Sequence, residues 1–155
     1  MAIRIAFSGR IGAGKTTIAQ ELAKHINCPV ISFSELLKSI TTDIQEKCGI
    51  RPFKDRILLQ TLGAHMRSYN PNVFINYIRD TYMLNDTSVS YIVDDVRFLN
   101  ELIMLRECGF RIIRLTRQSQ EFNPDISENS ILSADCDLVI PNDDTVDAVI
   151  RQIMN

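Results

Sequence analysis

Gly9-Arg10-Ile11-Gly12-Ala13-Gly14-Lys15-Thr16 has the form G-x-x-x-x-G-K-[ST], and its residue types answer the needs of a bound nucleoside triphosphate. Gly9, Gly12 and Gly14, with the small Ala13 between them, let backbone N–H groups wrap phosphate oxygens. Lys15 is long enough to reach the β- and γ-phosphates, and Thr16 carries a hydroxyl suited to Mg²⁺. A helix following the loop adds its positive N-terminal end to the same anion site.

Asp94-Asp95 is the second chemical element. A carboxylate at a strand end beside a phosphate loop suits Mg²⁺, directly or through a water, and a neighbouring acid suits the cap of the next helix. Arg97 follows three residues after Asp94, and Glu101 stands four residues further on, at the spacing of a helical salt bridge with Arg97. Phosphoryl transfer needs cations around two phosphate groups, and Arg10, Arg67, Arg114 and Arg117 are the further candidates. Arg117 stands at the entrance of a long stretch, 116–135, that reads as an irregular lid. From Gln118 to Asp135 that stretch has no Lys or Arg, while Glu121, Asp125 and Glu128 are acidic. His25 and His65 fall on helical patterns and are read as structural; no nucleophilic triad is needed when the acceptor is itself a phosphate.

The elements that must position these groups alternate between strand and helix. Ile3, Ile5 and Phe7 form an apolar run before the loop, and Ile18, Ala19, Leu22, Ala23 and Ile26 recur at helical spacing behind it. Further strands are expected over 30–33, 89–94 (ending in the acids), 110–115 and 138–140. Helices are expected over 34–47 with Ser34 as cap, 55–67, 71–84 after Asn70-Pro71, 98–108 closed by Gly109, and 144–154. Strands separated by helices imply parallel pairing, with ligands at the carboxyl ends of the strands. The phosphate loop, Asp94-Asp95, Arg114 with Arg117, and Asn142-Asp143 all fall at that edge.

Composition bounds the reading. At 155 residues, with 45% hydrophobic and 23% charged residues, the expectation is one globular domain with a substantial core. No apolar run reaches membrane-spanning length, and the N-terminus lacks a secretory layout, so a cytoplasmic protein with no membrane partner is expected. A net charge of −2 gives no support for coating polymeric nucleic acid. The four cysteines, Cys28, Cys48, Cys108 and Cys136, show no zinc spacing and read as reduced thiols.

Taken together, the phosphate loop, Leu59-Gln60-Thr61-Leu62-Gly63 with Arg67 after it, Asp95-Val96-Arg97-Phe98-Leu99-Asn100-Glu101, Ser127-Glu128 and Pro141-Asn142-Asp143 resemble the deoxynucleoside monophosphate kinases, a branch of the nucleoside monophosphate kinase superfamily. The resemblance spans nearly the whole chain in order. Asp125 departs from it, standing where many members carry a histidine.

The resemblance implies an α/β fold: a three-layer α/β/α sandwich on a five-stranded parallel sheet of order 2-3-1-4-5 with a short lid. It implies a helical acceptor-binding region over 34–86 and a lid over 116–135. It also implies ATP as donor, Mg²⁺ as cofactor, and a (deoxy)nucleoside monophosphate as acceptor. By position, Lys15, Thr16 and Thr17 would hold the ATP phosphates and Mg²⁺, and Asn142 and Asp143 would border the adenine. Asp95 and Arg97 would lie where the two nucleotides meet, Arg117 would be the lid arginine, and Ser34, Gln60 and Arg67 would hold the acceptor. A homodimer is compatible with the sequence. Two other functions remain open at this point: a kinase of the same fold acting on dephospho-coenzyme A or phosphomevalonate, and a nucleotide-binding switch, for which the guanine motif Asn-Lys-x-Asp is missing.

Overall fold

In the computed structural model the described residues are 1–118 and 130–155. They fall into two compact units, one formed by 1–32 with 84–155 and the other by 33–83.

The first unit carries the sheet. Strands β1 (Arg4–Ser8), β2 (Val30–Ile31), β3 (Tyr91–Val96), β4 (Arg111–Thr116) and β5 (Leu138–Pro141) pair in parallel in the order β2-β3-β1-β4-β5, as the resemblance implies. Helices α1 (Lys15–Ile26), α5 (Leu99–Glu107) and α6 (Val146–Met154) belong to this unit. Residues of opposite parity along each strand serve opposite faces. Ile5 and Phe7 of β1 and Ile113 and Leu115 of β4 join one apolar cluster with Ile18 and Leu22 of α1 and Val149, Ile150 and Ile153 of α6. Ala6, Val93 and Ile112, strand residues of the other parity, are also fully buried, as are Leu102 and Leu105 of α5.

The second unit is helical: α2 (Glu35–Lys47), α3 (Arg56–Tyr69) and α4 (Val73–Thr81). Asp55 caps α3, its carboxylate accepting from Leu58 N at 3.0 Å. Tyr82 donates its hydroxyl to the Glu35 carboxylate, at 2.8 Å from Oε1.

Several boundaries differ from the sequence expectation. β3 does not end at Asp94: its ladder continues to Val96, which pairs with Ser8. Between the Ala6↔Val93 and Ser8↔Val96 pairs, β3 spends one residue more than β1, so the two acids sit on a bulge inside the strand. α4 begins at Val73, because Asn70 Oδ1 accepts from Asn72 N at 3.0 Å and holds Asn70-Pro71 in a turn before the helix. β2 stops at Ile31, two residues short of the expected strand. Thr116 belongs to β4 and Ser133–Asp135 form a 3₁₀ turn, which narrows the irregular stretch. The lid residues Glu121, Asp125, Ser127 and Glu128 lie outside the described residues.

Candidate phosphate-transfer site

The phosphate loop joins β1 to α1, and two of its glycines are imposed by close approach. A Cβ on Gly9, whose φ is +138°, would lie 2.3 Å from the carbonyl oxygen of Leu115 on β4. A Cβ on Gly14, φ +87°, would lie 2.2 Å from Asn142 Nδ2. Gly14 is also the N-cap of α1, so its left-handed backbone turns the chain into the helix. The first-turn amides of that helix, around Thr16 and Thr17, have no acceptors within it. Lys15 is buried, and its Nζ donates to the carbonyls of Gly9 at 2.5 Å and Arg10 at 3.0 Å. The ammonium therefore lies over its own loop.

The bulge in β3 sends the two acids to different partners. Thr16 donates its hydroxyl to Asp94 Oδ2 at 3.1 Å, and Ser32, just past β2, donates its hydroxyl to Asp95 Oδ2 at 2.6 Å. Both carboxylates are buried. Thr16 and Asp94 thus bring a hydroxyl and a carboxylate oxygen together beside the loop. Such hard oxygen donors fit Mg²⁺, which is held by one or two carboxylates and keeps the rest of its shell for waters and substrate phosphates. Among the described residues no group of three or more His, Cys, Asp or Glu forms a metal cluster.

Asn142 ties the far side of the loop to β5. Its side-chain amide donates to Ala13 O at 2.7 Å, and its backbone N–H donates to Thr116 O at 2.7 Å. Arg117 reaches back over the same place, Nε donating to Asn142 O at 3.1 Å and Nη1 to Gly12 O at 3.2 Å. Asp143 accepts from Gln118 N at 3.1 Å. The loop, Asp94, Asn142, Asp143 and Arg117 are therefore brought into one constellation. Arg114, also a candidate cation, donates to Ile131 O at 2.6 Å.

Arg97 follows β3 directly, and its position is fixed by Glu101. That carboxylate, 2% exposed, accepts from the backbone N–H of Arg97 at 2.8 Å and of Phe98 at 3.1 Å. Glu101 is three residues past the N-cap Phe98, the place of a capping acid. The spacing that fits a salt bridge to the Arg97 side chain fits this capping role equally. Ser32 escapes the sequence reading, because a lone serine after a short strand carries no signature. In the second unit, Ser34 stands at the N-cap of α2 without its side chain capping the helix, Gln60 is exposed on α3, and Arg67 lies in the last turn of α3. The cysteines are free thiols; Cys108 is buried and Cys48 exposed, and burial pushes the Cys28 and Cys136 thiols up.

Solved structures share this architecture. The shikimate kinase of Aquifex aeolicus vf5 is 13% identical, with 98% of this chain and 94% of that one covered and a TM-score of 0.60. The APS kinase of Mycobacterium tuberculosis, solved in complex with AMPPNP and APS, is 12% identical, with 99% and 95% covered and a TM-score of 0.60. A sugar kinase from Janibacter sp. HTCC2649 is 16% identical, with 99% and 93% covered and a TM-score of 0.52. No curated protein has a significant sequence match to the chain.

Sheet order, phosphate loop and structural neighbours together define a P-loop kinase fold. Within that class the chain belongs to the deoxynucleotide monophosphate kinase family, whose family model matches residues 9–153, and it is a nucleotide kinase. No helix among the described residues is long and apolar enough to cross a membrane.

Proposed function

We propose that this protein transfers the γ-phosphoryl group of ATP to a deoxynucleoside 5′-monophosphate. An acceptor phosphate oxygen bonds to the γ-phosphorus as the bond to the β,γ-bridging oxygen breaks, and that oxygen leaves on ADP with the electron pair. The acceptor is already nucleophilic, so the protein's task is alignment and charge neutralisation.

The observation that carries the proposal is the 3.1 Å contact between Thr16 Oγ1 and Asp94 Oδ2 beside the loop, in a chain of this family. Thr16 and Asp94 would hold Mg²⁺, which supplies charge neutralisation at the β- and γ-phosphates. Lys15 exchanges the Gly9 and Arg10 carbonyls for phosphate oxygens and follows the charge of the transferring group. Amides of Gly12, Ala13, Gly14, Thr16 and Thr17 wrap the donor phosphates. Arg117, bonded to the Gly12 and Asn142 carbonyls, stands beside the donor nucleotide, with Asn142 and Asp143 bordering its adenine. Arg97, its backbone pinned by Glu101, neutralises charge on the phosphate groups. Asp95 orients the segment after β2 through Ser32, and Ser34, Gln60 and Arg67 bind the acceptor.

A coupled assay of ADP release over the four common deoxynucleoside monophosphates, extended to dephospho-coenzyme A and phosphomevalonate, tests this. Stimulation by one or more deoxynucleotides supports it; stimulation by the other acceptors alone, or by none, overturns it. Lys15→Ala is expected to lower kcat by about 10²–10³-fold, the scale for removing one transition-state charge partner.

A further inference from the structure

We propose that Gly63 and Phe74 are positioning residues that seat the Arg67 guanidinium as a flat, fixed fork for the acceptor's phosphate. The proposal rests on the reading above that the acceptor is a phosphate monoester and that Arg67 binds it. All of its geometry lies within the second unit.

Arg67 and Gly63 are one helical turn apart on α3. A long side chain on a helix leans toward the N-terminus over the preceding turn, which carries Arg67 onto the surface above Gly63. There the guanidinium carbon stands 4.6 Å from the centroid of the Phe74 ring. Phe74 is 2% exposed, so the core of the unit holds the ring in place. A Cβ on Gly63 would lie 3.1 Å from Arg67 Nη1 and 3.0 Å from Leu37 Cδ2. Both contacts are tighter than a side-chain carbon ordinarily tolerates.

Glycine is a poor helix former, yet Gly63 stands in the interior of α3 and is that helix's buried residue. Its lack of a side chain is what admits the guanidinium and Leu37 together. An arginine held against an aromatic ring gains cation–π attraction and loses less freedom when it binds than one free in solvent. A guanidinium held there can offer a phosphate two parallel hydrogen bonds, the geometry that a lysine cannot supply. A purely structural arginine would need only the carbon stem to pack, with no demand on the orientation of the plane.

Steady-state kinetics with ATP and the deoxynucleoside monophosphate of highest turnover, on Phe74→Leu, Gly63→Ala, Arg67→Ala and the doubles with Arg67→Ala, decide the matter. Phe74→Leu keeps an apolar side chain and removes the ring. The expected result is a rise in acceptor KM of about 3- to 30-fold, the range of a cation–π contact, with ATP KM and kcat unchanged. In the Arg67→Ala background neither substitution should raise acceptor KM further. Unchanged acceptor KM in both single variants, a parallel rise in ATP KM, or effects that add fully to Arg67→Ala would each overturn the proposal. If circular dichroism shows Phe74→Leu to be unfolded, Gly63→Ala decides, since it adds one methyl group at the guanidinium and leaves the ring. Absence of turnover by the unsubstituted protein with every deoxynucleotide overturns the functional reading and this proposal with it; turnover with additive effects overturns this proposal alone.

Discussion

At the scale of single residues the site is governed by a few close approaches. Gly14 leaves no room for a methyl group because Asn142 Nδ2 lies where one would go, and that same amide holds Ala13 O. A Gly14→Ala substitution therefore displaces the hook that fixes the loop, besides forcing a left-handed residue at about 1–2 kcal/mol. ATP affinity, measured by titration calorimetry, is expected to fall about 5- to 30-fold as the loop relieves that strain by leaving its phosphate-wrapping shape. Glu101 acts on the backbone. Replacing it with Ala leaves two turn amides without their acceptor and is expected to cost about 1–3 kcal/mol in urea unfolding. Glu101→Gln retains an amide oxygen for the same N–H groups and should recover most of the lost stability and of the acceptor turnover.

Elements account for why these residues meet. The strand–loop–helix order around Lys15 was legible because Ile3, Ile5 and Phe7 alternate and Ile18, Leu22 and Ile26 recur at helical spacing, both signals of a one-sided core. The end of β3 was not legible. Asp94 and Asp95 read as a polar terminus, yet Thr16 and Ser32 each donate a hydroxyl to one of their oxygens, and the strand runs on through two buried acids to Val96. A bulge whose extra residue is an acid carries no sequence signature. The start of α3 was legible at Asp55, which caps it, whereas α4 and α6 each begin two residues later than the sequence suggests, α4 after a turn at Asn70-Pro71 and α6 behind its cap Thr145. The roles proposed for Gln60 and Arg67 were out of reach of periodicity and came from resemblance alone. The caps give a direct test: Thr145→Ala removes the acceptor for Ala148 N at the start of α6 and should cost about 1 kcal/mol in thermal or urea unfolding.

The whole molecule is built around contacts that reach far along the chain. Arg4, buried at the start of β1, donates to the carbonyls of Val89 at 2.9 Å, Leu84 at 2.8 Å and Asp86 at 2.7 Å, and to that of Cys108. Its guanidinium also stacks on Phe110, 5.0 Å from the ring centroid. Arg4→Met would leave these carbonyls without their donor and should lower the unfolding free energy by about 3 kcal/mol or more, read from the urea midpoint. The sheet has the same reach: β1 pairs with β3 and β4, and β2 pairs with β3. The helices of 33–83 lie between these partners in the chain. A ribosome releases the chain from its N-terminal side, so β1, carrying the phosphate loop, emerges before either of its partners and has no strand to pair with until Tyr91–Val96 follows. The helical unit has its own contacts in hand by Met83. The nucleotide loop is thus synthesised well before the strands that give it its shape, and nascent chains halted before β3 are expected to carry a loop unable to hold ATP.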